Sequence, residues 1–205
     1  CPDRGCCSLP SGSAKKPLAG VAAHTILSAM FKALAVAGLI FVSGPEYGPP
    51  DSMFDELRNA PTEQEAESTA LDIWAAWLES GSPTVDILME RALTAQAQGD
   101  IETARAFYDR AILIKPDYAE AWHRRATVFL EQERIDEAIR DLNEALTHEP
   151  RHFGAWAGLG SILERLGAEE EALEAYREAL AIHPYMEPAR RGVARLSKVT
   201  DGTAL

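Results

Sequence analysis

Residues 156–184 read W-A-G-L-G-S-I-L-E-R-L-G-A-E-E-E-A-L-E-A-Y-R-E-A-L-A-I-H-P, and their register recurs upstream. Pro184 lies 34 residues after Pro150, which lies 34 after Pro116. Ala104, Ala138 and Ala172 share that interval, as do Ala111, Ala145 and Ala179, and Trp122 and Trp156. Four columns in one register define a repeat, and a period in this range means stacked supersecondary units. The residue types suit two antiparallel helices per unit. Small side chains belong where helix axes approach to about 8–10 Å. Ala104, Ala138 and Ala172 take that place on the second helix, and Ala92, Ala126 and Gly160 on the first. Trp122, Trp156, Tyr108 and Tyr176 fill the remaining space, and proline ends each second helix.

These residues resemble the tetratricopeptide-repeat (TPR) family, whose pattern is W-x2-L-G-x2-Y, then A-x3-F, A and P. Trp156-x2-Leu159-Gly160, Ala172-x3-Tyr176, Ala179 and Pro184 match it most fully. Repeat two contributes Trp122, Ala126, Phe129, Ala138-x3-Leu142, Ala145 and Pro150. Repeat one has Leu88 in the tryptophan column, then Ala104-x3-Tyr108, Ala111 and Pro116. The resemblance implies an all-α, right-handed superhelical α-solenoid with repeats at 85–118, 119–152 and 153–186. One period upstream, Phe54, Ala70 and Trp74 fall in the repeat columns, but Asn59-Ala60-Pro61 breaks the first helix. We read 51–83 as a degenerate helical unit forming an N-terminal cap. Leu71, Trp74, Ala75 and Leu78 share one apolar face by their i, i+3, i+4, i+7 spacing. A capping helix is expected over 187–198, with Ala189, Val193 and Leu196 inward and Arg190, Arg191, Arg195 and Lys198 wet. Residues 199–205 are expected to fray.

The N-terminal region is a separate matter. Met30-Phe31-Lys32 opens an apolar run, residues 33–42, followed by Ser43-Gly44, the layout of a secretory signal. The run is short for a span of roughly 20 residues. Residues 1–44 are therefore expected to be a leader, cleaved or kept as an anchor, with translation starting at Met30. Residues 45–50 form a Pro/Gly linker. The layout and the arginine-rich composition point to a bacterial protein exported to the periplasm or anchored at the envelope, with the cytoplasm as the alternative. All three cysteines, Cys1, Cys6 and Cys7, precede residue 8, so no disulfide framework or thiolate metal site is expected in the globular part.

Net charge is −12, and residues 45–205 carry 16 basic against 31 acidic side chains. Such a surface repels polyphosphate, so nucleic acid is not an expected partner. No glycine-rich phosphate loop or nucleophile–base set is present, and no enzyme activity, cofactor or metal is expected. His148 and His152 have a metal-like spacing, but Pro150 separates them. Trp74 and Trp77 are read as core.

The resemblance implies binding on the concave side, lined by the first helix of each repeat. Its exposed positions would be Asp86, Met89, Leu93, Gln96 and Ala97 in repeat one, and Glu120, His123, Thr127, Leu130 and Glu131 in repeat two. Repeat three would contribute Gly154, Ala157, Ser161, Glu164 and Arg165. The groove is expected to be acidic and partly apolar, and its partner a protein or peptide with basic residues among apolar ones. Small residues in repeat three leave room for a ligand side chain. Some family members hold chaperone C-terminal carboxylates with Lys, Asn and Arg. Here those places read Met89, Leu93, Thr127, Ala157 and Ser161, so a chaperone tail is not the expected ligand. Self-association is one alternative and an enzyme with an unrecognised site a lesser one, and the N-terminal unit could itself fill the groove.

Overall fold

The computed structural model describes residues 47–202, with side chains to Ser197. The signal-like segment lies outside the described residues. Among them are nine α-helices and no strand. They are α1 (Asp51–Arg58), α2 (Glu63–Trp77), α3 (Pro83–Ala97), α4 (Ile101–Ile114), α5 (Ala119–Glu131), α6 (Ile135–His148), α7 (Phe153–Arg165), α8 (Glu169–Ile182) and α9 (Glu187–Gly202). Pairs α3–α4, α5–α6 and α7–α8 are the three repeats, stacked as a right-handed solenoid. No described helix is long and apolar enough to cross a membrane.

Each column has a physical task. Ala104, Ala138, Ala172, Ala111, Ala145 and Ala179 are fully buried, which lets the two helices of a unit close together. Trp122 donates through Nε1 to the Pro116 carbonyl at 2.7 Å, and Trp156 donates to the Pro150 carbonyl at 2.9 Å. The tryptophan column thus ties the first helices of repeats two and three to the turn that the proline column begins. Trp156 is buried, whereas Trp122 is only half-buried, less than a core reading implies.

The first helix of every repeat ends the same way. The Asp100, Arg134 and Ala168 amides reach back to the carbonyls of Ala95, Phe129 and Leu163 at 2.9, 2.8 and 2.9 Å. This closure needs a left-handed residue just before it. Gly99 (φ 78°) and Gly167 (φ 75°) supply it, and Glu133 (φ 57°) does so in repeat two.

A second column pairs tyrosine with a polar residue twelve positions earlier. Tyr108 donates to Gln96 Oε1 at 3.1 Å, and Tyr176 donates to Glu164 Oε2 at 2.9 Å. Repeat two replaces both partners, with Leu142 buried in the tyrosine place and Leu130 in the polar place. Neither is left with an unmatched polar group. The Tyr176 ring also explains two glycines. A Cβ on Gly160 would lie 2.7 Å from it, and one on Gly192 closer still.

The N-terminal unit departs from expectation. Helices α1 and α2 do not form another layer stacked on α3 and α4. They lie along the edge where first helices begin and second helices end, against repeats two and three. Arg58 donates to the Ala181 carbonyl at 3.4 Å, Arg151 pairs with Asp51, and Tyr185 donates to the Pro61 carbonyl at 3.4 Å. Tyr118 donates to the Trp77 carbonyl at 2.7 Å. Phe54, Leu57, Ala66, Ala70, Ile73 and Trp77 are buried by this docking. The first face of the stack is left open: Ile87 is 51% exposed, whereas Ala121 and Ala155 in its column are 0%. At the other end α9 caps the stack and continues to Gly202, past the point where fraying was expected.

Candidate functional site: the concave face

The concave face divides into two zones. Near the starts of α5 and α7 it is sealed by α2. Over their later turns it is open.

In the sealed zone the expected groove acid Glu120 is not a surface residue; it is 0% exposed. Arg124 Nε donates to Oε1, and His152 Nε2 donates to Oε2 at 2.9 Å. Burial pushes the Glu120 carboxyl up, but the two imidazoles beside it, His123 in electrostatic contact and His152 in a hydrogen bond, outweigh it and hold the group well below the usual range. His123 is also buried. Its Nδ1 lies 3.4 Å from Glu120 Oε2, too poorly placed for a hydrogen bond, and has no other partner. Burial, then repulsion from His152, pushes its imidazole down to about 4. Met89 and Ala157, expected on the open groove, are buried too.

The cover is aromatic. Trp77 stacks on His152 with centroids 4.3 Å apart and planes at 4°. Trp74 meets His123 at 5.5 Å, His152 at 5.4 Å and Phe153 at 5.3 Å. Arg124 lies over its face at 5.6 Å. A Cβ on Gly154 would stand 2.6 Å from Trp74 Cη2. The room expected in repeat three for a ligand side chain is thus taken by the chain's own tryptophan.

Glu120, His123 and His152 bring ligand-type atoms within 4.8 Å of one another, a grouping that sequence spacing does not reveal. The His152 tautomer argues against a cation there. Its Nδ1 accepts the Ala155 amide at 3.0 Å, capping α7, so its proton sits on Nε2 and points at Glu120. A metal on Nε2 would need that proton moved to Nδ1, against the Ala155 N–H. His148 points elsewhere, 4.0 Å from Glu144.

The open zone holds half-buried Leu93, Gln96, Thr127, Leu130 and Glu164, and exposed Ala97, Glu131, Ser161 and Arg165. Gln96 donates to Glu131 at 2.6 Å and to Thr127 at 3.3 Å, joining repeats one and two across the floor. Glu164 accepts two bonds from Arg195, each 2.8 Å. At this end a cleft of about 260 Å³ is lined by Ala157, Ser161, Tyr176, Pro188, Arg191 and Arg195. Asp86 faces away from ligand duty: it accepts from the Ser80 amide and hydroxyl at 2.9 and 2.5 Å, bracing the turn before α3. The floor is therefore less acidic than expected, with Glu131 its exposed carboxylate and Arg165 its exposed cation.

A stack of helical hairpins with an open concave floor is a helical-repeat binding scaffold by architecture. The tetratricopeptide repeat matches over residues 85–118 and 123–187. A TPR repeat-containing protein of Rhizobium etli is 36% identical over 152 residues, 74% of each chain. The chain belongs to the tetratricopeptide-repeat family. Small glutamine-rich tetratricopeptide repeat-containing protein 2 of Saccharomyces cerevisiae is 30% identical over 118 residues, 58% of this chain and 34% of that one. Among solved structures, the TPR domain of Arabidopsis OM64 superposes with TM-score 0.54 at 26% identity, over 56% of this chain and 95% of that one. The first TPR of Spaghetti (RPAP3), bound to an HSP90 peptide, superposes with TM-score 0.56 at 21% identity, over 58% and 95%.

Proposed function

We propose that this protein is a non-enzymatic interaction scaffold that holds a segment of a partner protein against the later turns of α3, α5 and α7. The observation that carries this reading is the asymmetry of the concave face. Its first turns are sealed by α2, while Leu93, Leu130, Glu131, Ser161 and Arg165 remain accessible along one open floor. A helix or extended strand fits such a floor. The partner presents apolar residues over Leu93 and Leu130, a hydrogen-bond donor over Glu131 and an acidic group near Arg165. This is a more mixed ligand than a basic one, because Glu120 is buried and Glu164 is already paired with Arg195. A chaperone tail is disfavoured, since Met89, Leu93, Thr127, Ala157 and Ser161 provide no cation for its carboxylates. The apolar run at 33–42 supports a place at the cell envelope; recovery of the tagged chain from the cytosolic fraction would contradict it.

The experiment is a pull-down from native membranes with the double variant Glu131→Arg and Ser161→Arg. Both side chains are exposed, so melting should match the parent. The partner recovered by the parent should be lost. Its retention at unchanged salt sensitivity would place binding elsewhere.

A further inference from the structure

Trp74 occupies a cradle that has the features of a ligand site. The cradle depends on a missing side chain: the column that carries Asp86 and Glu120 in repeats one and two carries Gly154 in repeat three. Trp74 reaches Gly154 with the carbon edge of its indole, Cη2 and Cζ2. His123 Nε2 also faces this spot, 3.4 Å from where a Gly154 Cβ would be, while its Nδ1 side faces Glu120. With the ring proton on Nδ1, toward the carboxylate, the Nε2 lone pair faces the cradle. The carbon edge of Trp74 cannot donate to it. The cradle therefore contains rings on three sides, a guanidinium over the fourth and an unused acceptor.

We propose that this cradle is an aromatic-anchor site, filled by Trp74 while the protein is alone, and that the partner segment inserts a tryptophan or tyrosine there after Trp74 rotates out. The inference rests on the open floor being the binding surface. The acceptor on His123 selects a ring bearing N–H or O–H over phenylalanine, and Arg124 adds a cation–π contact. Rotation of Trp74 does not require α2 to leave. The helix is held by Ala66, Ala70, Ile73 and Trp77, all buried, whereas Trp74 is only half-buried. Leu71, one turn before Trp74 on the same side of α2, is 63% exposed and offers the incoming segment an apolar neighbour.

The probe is a fluorescein-labelled peptide copying residues 67–80, with Trp, Phe or Ala at the position of Trp74. The receptor is the full chain, as the parent and as Trp74→Ala. By anisotropy, Trp74→Ala should bind the tryptophan peptide at least about tenfold more tightly than the parent does. The phenylalanine peptide should bind more weakly and the alanine peptide not measurably. Adding Gly154→Leu to the receptor should abolish binding. Equal binding by parent and Trp74→Ala, or binding indifferent to Gly154→Leu, overturns the proposal. Gly154→Leu in the otherwise unchanged chain gives a test free of the cavity. It should stay folded, because leucine suits a helix better than glycine, and expel Trp74 with a red-shifted emission. An unfolded protein or unshifted emission would show Trp74 to be fixed core and end the proposal. Failure of these arms while Glu131→Arg and Ser161→Arg still removes the partner leaves the floor standing. Retention of the partner by that double variant removes the floor whatever the peptide does.

Discussion

Glu133 has a positive φ of 57° at the place where repeats one and three use Gly99 and Gly167. A left-handed residue with a Cβ costs roughly 1–2 kcal/mol, and glycine gives back part of that through unfolded-chain entropy. Glu133→Gly should therefore stabilise the protein by about 0.5–1 kcal/mol, read as a higher urea midpoint; a lower one would contradict the left-handed assignment. His123 makes a second residue-scale prediction. Its folded value is about 4, against about 6.5 when unfolded. Below pH ~6.5 the unfolded chain takes up a proton that the folded chain refuses. The stability tied to this neutral imidazole is thus whole above ~6.5 and falls by up to about 1.4 kcal/mol per pH unit toward ~4. His183, lowered by burial, acts in the same direction. Glu120 contributes with the usual carboxylate sign, present above about 4.3 and lost as the pH drops further. Urea midpoints should fall between pH 7 and 4.5, with a shallower slope in His123→Phe. Equal slopes would show that His123 is not held neutral.

Among the helices, α2 is the most informative. Its buried stripe, Ala66, Ala70, Ile73 and Trp77, follows helical spacing, and Thr62 caps it by accepting the Glu65 amide at 3.2 Å. The helix itself was legible in the sequence, as were the break at Asn59-Ala60-Pro61 and the repeat columns, but its buried face was not: the face read from spacing, Leu71, Trp74, Ala75 and Leu78, leaves Leu71 63% exposed and Ala75 exposed, because the side that docks lies one position round the helix. The docking edge was not. A 34-residue register reports which residues are equivalent in successive layers, and so it placed Phe54, Ala70 and Trp74 in a further layer. It carries no information on an element that leaves the stack and folds back on it. For the same reason Glu120 and His123 read as groove residues: their columns face the concave side, and only α2 decides that they are covered. His152 was hidden by its neighbour His148, whose pairing with it fails at Pro150, while its true partner is 32 positions away. Trp77→Ala should cost about 3–5 kcal/mol by removing a buried indole. The loss should be local. In hydrogen exchange the amides of α1 and α2 should lose protection while α5 to α8 keep theirs, as expected where units contact only their neighbours. Uniform loss across all helices would mean that α1 and α2 are part of one cooperative stack.

Residues 47–202 form a short solenoid with two unlike margins. Along one, turns between repeats are closed by α1 and α2. Along the other, the concave floor runs uncovered from Ala97 to Arg165 and ends at the cleft beside α9. On the second helices, away from the floor, Arg140 and Glu174 are exposed charged residues that suit solvent. If the floor is the working surface, chemistry placed there must meet the partner and chemistry on the outer side must not. The direct measurement is photo-crosslinking in living cells, with a benzophenone side chain at Glu131, Ser161, Arg140 or Glu174 in turn. Glu131 and Ser161 positions should each give the same crosslinked partner, and Arg140 and Glu174 should give none. A partner captured from Arg140 or Glu174 and not from the floor would contradict the account.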